Sequence, residues 1–267
     1  PDCYRCPYEK KRDTCDAPCF EAFEQLVAIH ADEICGVIIE PLVQCAAGMK
    51  MYPAIYLKKL RHLCTKHHIH FIADEIAVGF GRTGRMFACE HAGISPDILC
   101  LSKGLTAGYL PLSLVVTTDD IYRAFYADYT EFKAFLHSHS YTGNTLACAV
   151  ARESLRIFRE DDVLKQNEIK ARMIFEQANA RFAGHPCVGE YRQQGMIGAL
   201  ELVADRRTKE TFDLQKRVGY HIYRIALEKG VLLRPLGNIL YFMPPYIVEA
   251  EDIEKMVRVA GESIDQY

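Results

Sequence analysis

The 267-residue chain has no excess of basic residues: 32 Lys and Arg stand against 35 Asp and Glu, a formal net charge of -3. That balance excludes the footprint of a general nucleic-acid binder, and no long run of like charge suggests a tail. No apolar segment reaches the ~18 residues needed to span a bilayer, so no membrane partner is expected. No signal peptide opens the chain, and internal repeats and low-complexity stretches are lacking. The first residue is Pro rather than Met, so a processed or truncated end is expected. What remains is a globular composition, 49% hydrophobic and 25% charged, long enough for one large or two ordinary domains.

Cysteine, by contrast, is abundant, at 11 residues. Most lie in apolar runs, such as Cys35 in "EICGVIIE", Cys100 in "DILCLS" and Cys148 in "TLACAVA". There they read as small core residues of a reduced cytoplasmic protein. Cys3, Cys6, Cys15 and Cys19 form a C-x2-C-x8-C-x3-C pattern that zinc could use. The two pairs are close together near the terminus, and unliganded surface or interface thiols are the expectation. His67, His68 and His70, and His137 and His139, have no carboxylate at ligand spacing, so no metal is expected there either.

Hydrophobic periodicity organises the rest. Helical spacing runs from Phe20 to His30 and again over 53–68, where Pro53 suits a first turn. Short apolar runs at 34–40, 69–75, 97–102 and 112–118 read as buried strands. Strands alternating with helices, apolar on both faces, predict a largely parallel α/β sheet covered on both sides. From "GNTLACAVARESLRIFRE" onward the texture changes. Long helical segments at 143–160 and 162–183 precede strand candidates at 195–203, 230–235 and 238–244, with helices at 211–229 and 249–264. This predicts a large α/β domain over residues 1–160 and a small α+β domain over 161–267.

The stretch "FIADEIAVGFGRTGR" contains a literal G-x-G-x-x-G at Gly79, Gly81 and Gly84. A dinucleotide site needs the first glycine directly after the strand and a crossover helix after the third. Here Asp74-Glu75-Ile76-Ala77-Val78 intervene, and "RMFACEHAGISPDI" is broken by Gly93 and Pro96. The motif is a set of loop glycines. More informative are three strand ends that carry ionisable groups: Glu40, Asp74 and Lys103. Open α/β sheets bind ligands at such ends. A strand-end lysine is either a snorkelling surface residue or a desolvated amine of Schiff-base chemistry. An aspartate at a neighbouring end is the partner that a pyridinium nitrogen needs.

"FIADEIAVGFGRTGRMFACEHAGISPDILCLSKGLTAGYLPLS" resembles the central signature of class III, fold-type I aminotransferases dependent on pyridoxal phosphate. The resemblance implies that Asp74 in "ADE" holds the pyridinium nitrogen and Lys103 in "SKG" is the Schiff-base lysine, both catalytic and cofactor-binding. It implies the large domain of that fold, part of a mainly parallel sheet with flanking helices, plus the small domain. "IIEPLVQCAAGMKMY", "GNTLACAVA" and "RPLGNILYFMPPYI" extend it over essentially the whole chain. They point to the branch of biotin synthesis that converts 8-amino-7-oxononanoate to 7,8-diaminononanoate.

Further roles follow from that resemblance. Ser140 in "HSHSYTGNT" is expected on the cofactor phosphate of a neighbouring subunit, which implies a homodimer with shared active sites. Ser138 is expected on the substrate side, and Arg234 is expected to hold the oxononanoate carboxylate, a match for its bidentate fork. S-adenosylmethionine is the expected amino donor, with lysine as the alternative. Where ornithine- and γ-aminobutyrate-type relatives carry a glutamate, "EPLVQCA" has Ala46, which argues against those substrates. Another ω-amino-acid aminotransferase of the same class is the rival enzyme reading. The family's N-terminal portion, with its phosphate-binding turn and stacking aromatic, has no counterpart here, so an inactive fragment is the rival non-enzyme reading.

Overall fold

A computed structural model describes residues 2–267. After the N-terminal segment, α1 (Glu21–His30) leads to β1 (Gly36–Ile39), the small hairpin strands β2 (Val43–Gln44) and β3 (Lys50–Met51), and α2 (Ala54–Lys66). β4 (His70–Asp74), β5 (Ile98–Leu101) and β6 (Leu114–Thr117) follow, then α3 (Asp119–Phe125), α4 (Thr145–Glu160) and α5 (Val163–Phe182). β7 (Val188–Gln194), β8 (Ile197–Leu202), α6 (Val218–Glu228), β9 (Arg234–Leu236), β10 (Ile239–Phe242) and α7 (Ala250–Gln266) complete the chain.

The first sheet has the order β1-β4-β5-β6. β1, β4 and β5 are parallel, with Ile39 opposite Ala73 and Asp74 opposite Cys100; β6 returns antiparallel. Parallel strands need long crossovers, and α2 supplies one between β1 and β4. Its Leu57, Leu60 and Leu63 are buried in one cluster with Phe71 and Ala73 of β4. Each such large side chain contributes roughly 1.5–3 kcal/mol when fully buried. The second sheet, β7-β8-β10-β9, is antiparallel throughout, and α5, α6 and α7 pack on it. Ile197, Ala199 and Ile239 of this sheet join the core cluster of the first, so the two sheets share apolar contact.

The fold is α/β, as the resemblance implied, with four corrections. The expected two-sided cover is incomplete: Leu114, Val115 and Val116 of β6 are 43%, 65% and 49% exposed, and Ile38 is 63% exposed. β7 went unseen because "VGEYRQQ" is polar; its second buried residue is the ion-paired Arg192 rather than an apolar one. The helix read over 211–229 begins only at Val218, since Asp213 caps a separate short turn, Leu214–Lys216, and Arg217 takes a left-handed φ of 47°. The strand read over 230–235 starts at Arg234, because 230–231 close α6: Val231 N–H donates to the Ala226 carbonyl at 2.9 Å. Among the described residues no helix is long and apolar enough to cross a membrane.

The glycine-rich loop after β4 seats on the β7–β8 turn. Met196 N–H donates to the Arg82 carbonyl at 2.9 Å, and Gln194 Nε2 donates to the Thr83 carbonyl at 3.2 Å. Gly195 between them has φ +55°, and a Cβ there would lie 2.4 Å from Thr83 C and 2.6 Å from both Arg82 O and Gly84 N. All three are backbone atoms, so nothing can swing aside. Gly195→Ala is therefore expected to destabilise the protein by about 2–4 kcal/mol. Denaturant unfolding followed by circular dichroism checks this, and an unchanged midpoint contradicts the packing described.

Candidate active site

Because β4 and β5 are parallel and in register, their carboxyl ends stand side by side. Glu75 N–H donates to the Cys100 carbonyl at 3.0 Å, which continues the ladder one residue past Asp74. Asp74 is half-buried at the strand end, and its Oδ1 accepts the Ile76 N–H at 3.1 Å. On the neighbouring strand Ser102 is extended, and its Oγ donates to the Leu112 carbonyl at 2.8 Å. The chain then turns sharply at Lys103, a non-glycine residue with φ +44° and an exposed side chain. Left-handed conformation at such a residue costs about 1 kcal/mol or more and persists only where the surroundings impose it.

Those surroundings are specific. A Cβ on Gly104 would come within 2.8 Å of Phe80 Cβ, so the Lys103–Gly104 turn lies directly on the buried Phe80 ring. From the other side Ser154 of α4 donates to the Gly104 carbonyl at 3.2 Å. Phe80 is itself left-handed, at φ 54°, and its carbonyl accepts the Tyr246 hydroxyl at 2.6 Å. Tyr246 lies under Arg82, whose guanidinium carbon is 4.3 Å from the ring centroid and whose Nη1 donates to the Pro244 carbonyl at 2.6 Å. Burial pushes the Arg82 guanidinium down and the Tyr246 phenol up to about 12. Arg82 ties the loop to the second sheet's last strand connection.

Two acidic residues brace the strand ends. Glu75 is fully buried; its Oε2 accepts from Ala88 N–H at 2.6 Å and its Oε1 from Cys89 N–H at 2.8 Å. Burial raises its carboxyl despite those amides. Glu40, following β1, accepts the Cys45 N–H at 3.0 Å. The Cys45 thiol is pushed up to about 12, chiefly by burial and then by Glu40, while Lys103 pulls it down and Asp74 adds to the rise. It thus lies within the electrostatic field of both candidate catalytic residues. Cys45 and Glu75 carry little signal in the sequence: Glu75 closes the apolar run at 69–75, and Cys45 follows a two-residue strand too short to read as one.

The other expected residues lie apart. Ser138 and Ser140 sit in an exposed stretch ordered by turns, where His139 N–H donates to Thr142 Oγ1 at 3.0 Å and Asn144 caps α4 by accepting from Ala147 N–H at 3.0 Å. Arg234 is exposed on β9, its guanidinium carbon 6.0 Å from the Tyr241 ring centroid. No hydrogen bond or ion pair among the described residues links these three to Asp74 or Lys103. Cys3, Cys6, Cys15 and Cys19 are free and partly exposed, and no group of three or more His, Cys, Asp or Glu among the described residues is arranged to hold a metal ion.

The donor set nevertheless fits pyridoxal phosphate in its two main demands. A primary amine for the aldehyde and a carboxylate for the ring nitrogen stand on adjacent strand ends. Fold and site define an α/β protein with an amine–carboxylate pair at the carboxyl edge of a parallel sheet. Residues 1–262 match the model of the class-III aminotransferases, and the chain belongs to that family. Adenosylmethionine-8-amino-7-oxononanoate aminotransferase of Geobacter sulfurreducens is 48% identical over 267 residues, 99% of this chain and 58% of that protein. The protein of that name from Helicobacter pylori is 47% identical over 92% of this chain and 55% of its own length. The crystal structure of the Methanocaldococcus jannaschii protein of that name superposes with a TM-score of 0.91 at 36% identity, covering 98% of this chain and 59% of the other. An amine transaminase from an uncultivated Pseudomonas species, solved with pyridoxal phosphate bound, gives a TM-score of 0.91 at 33% identity over all of this chain and 60% of the other. The chain spans about half to three fifths of the length of the curated relatives it matches.

Proposed function

We propose that this chain carries the lysine and aspartate of an aminotransferase that uses pyridoxal phosphate to convert 8-amino-7-oxononanoate to 7,8-diaminononanoate in biotin synthesis. The observation that carries the proposal is the Asp74–Lys103 pair on adjacent parallel strand ends, in a chain 48% identical to a protein named for that reaction. The amino donor is S-adenosylmethionine. When bound, pyridoxal phosphate supplies the electron sink for the carbanion. Asp74, with one oxygen already capped by an amide, offers its carboxylate to keep a proton on a ring nitrogen. Lys103 acts as the general base and acid, its Nζ moving a proton to and from the carbon that bears the transferred amino group.

Arg234 takes the oxononanoate carboxylate through its planar fork, and the Tyr241 ring beneath it limits the directions it can point. Ser138 serves the substrate, and the Ser140 hydroxyl serves the cofactor phosphate of a second copy, which makes the working enzyme a homodimer. Residues 1–160 form the later part of the cofactor-binding domain, and 161–267 the small domain. Eleven free cysteines suit a reducing cytoplasm.

Borohydride reduction of the cofactor-loaded enzyme is expected to leave a pyridoxyl mass on the peptide containing Lys103; the mass on another lysine, or on none, refutes the role. Assays of 8-amino-7-oxononanoate with S-adenosylmethionine and with lysine are expected to show turnover with the first. Turnover with neither refutes the biotin assignment and favours another ω-amino-acid substrate. Arg234→Ala is expected to raise the KM for the oxononanoate by about 10-fold or more, the loss of a charge-assisted bidentate pair. Cofactor affinity, read by absorbance titration, should stay within about twofold.

A further inference from the structure

The loop between β2 and β3 is held more firmly than a surface loop requires, and the holding groups come from both sheets. Its backbone turns sharply: Gly48 lies at φ 93° and the non-glycine Met49 at 51°, while Leu42, just before β2, lies at 65°. At the near end Glu40 accepts the Cys45 N–H at 3.0 Å, and the Tyr52 hydroxyl donates to the Glu40 carbonyl at 2.6 Å. At the far end Arg192 reaches across from β7. Its Nε donates to the Met49 carbonyl and its Nη2 to the Gly48 carbonyl, both at 2.8 Å.

Arg192 is only 8% exposed, and its charge is balanced by buried Glu201 at 2.8 Å and by Glu190 at 3.0 Å. The second Glu201 oxygen accepts from Arg5 at 2.6 Å. A buried ion pair of this kind is poor evidence for stability, because a packed apolar pair often does as well. What an apolar pair does not supply is a planar fork aimed at two carbonyls. The loop that the fork holds lies at the reactive edge of the first sheet. Ile39 is opposite Ala73, so Glu40 follows beside Asp74, and its carboxylate holds the first residue of the loop through the Cys45 N–H.

We propose that Arg192 is a positioning residue for the Asp74–Lys103 site, fixing the 45–49 loop through the Gly48 and Met49 carbonyls so that Cys45 and its neighbours wall the site beside Asp74. This inference rests on the site reading given above. The field of Lys103 and Asp74 at the Cys45 thiol agrees with it. Glu201 and Glu190 orient the guanidinium, and the rigid second sheet supplies the reference against which the loop is held.

The test compares wild type with Arg192→Lys and with a double variant, Arg192→Met plus Glu201→Met, which removes both buried charges together and frees only the partly exposed Arg5 and Glu190. The first readout is the rate of Cys45 alkylation by iodoacetamide, measured by peptide mass spectrometry without cofactor, with the exposed Cys35 as internal reference. The expected result is a Cys45-to-Cys35 ratio raised about fivefold or more in the double variant and by less in Arg192→Lys, a point charge being a partial substitute for a fork. An unchanged ratio in a variant with the wild-type circular dichroism spectrum overturns the proposal. The second readout is kinetic, on the cofactor-loaded enzyme: kcat is expected to fall about 10-fold with the substrate KM changed less than about twofold, as misplacement of a site wall predicts. Faster labelling with unchanged kcat makes Arg192 structural only and overturns the positioning role. A wild-type protein that takes up no pyridoxal phosphate refutes the site reading instead, and the labelling ratio, which needs no cofactor, still judges the clamp.

Discussion

β1, β4 and β5 run parallel in a register that sets Ile39 opposite Ala73 and Asp74 opposite Cys100. Their carboxyl ends therefore fall at one level and place Glu40, Asp74 and the turn bearing Lys103 along a single edge. Side chains along a strand alternate between faces, so a slip of one residue would turn each of them to the opposite face. The buried Phe71 and Ala73 resist such a slip, since it would move two fully buried side chains of β4 off the core. The apolar pattern of the strands is thus what aligns the polar groups at their ends.

That alignment leaves each loop to begin at a fixed point, and each begins under strain. Leu42 after β1, Phe80 after β4 and Lys103 after β5 all have positive φ without being glycine. Each is over-determined by what surrounds it. Leu42 is buried, and its carbonyl accepts the Tyr52 N–H at 3.1 Å. Phe80 is buried against the Lys103–Gly104 turn and anchored by Tyr246. Lys103 inherits its conformation from that contact and from Ser154. Two of the three strained points thus touch each other, so the conformation of the lysine turn and that of the glycine-rich loop are one packing problem.

The first sheet was legible in sequence because its strands are short apolar runs and its candidate site residues stand where those runs stop. The G-x-G-x-x-G was legible as a misfit: Gly84 lies against Gly195 of the β7–β8 turn, Gly81 against Leu164, Phe158 and Tyr246, and Gly79 against Glu75. β7 was not legible. Its second buried position, Arg192, is paired with a residue 9 positions later on β8, and a hydrophobic pattern cannot register a charge whose burial depends on that partner. The exposed β6 misled in the opposite direction, since "LSLVVTT" reads as a buried strand whatever lies on its faces. The roles proposed for Ser138, Ser140 and Arg234 rest on resemblance alone, and nothing local to those residues distinguishes them from exposed polar residues.

The cations divide by what each is asked to do. Arg82 is half-buried and Arg192 buried, and both donate across the two sheets to backbone carbonyls, Arg82 to Pro244 and Arg192 to Gly48 and Met49. A guanidinium stays protonated even when burial disfavours its charge, so it can serve as a permanent tie. Lys103 is exposed at the sheet edge. An ammonium can give up its proton, which a structural tie must not do and a general base must. Arg192 of the second sheet and Arg82 of the glycine-rich loop thus tie loops of one sheet to the other, while no hydrogen bond or ion pair among the described residues engages the Lys103 side chain.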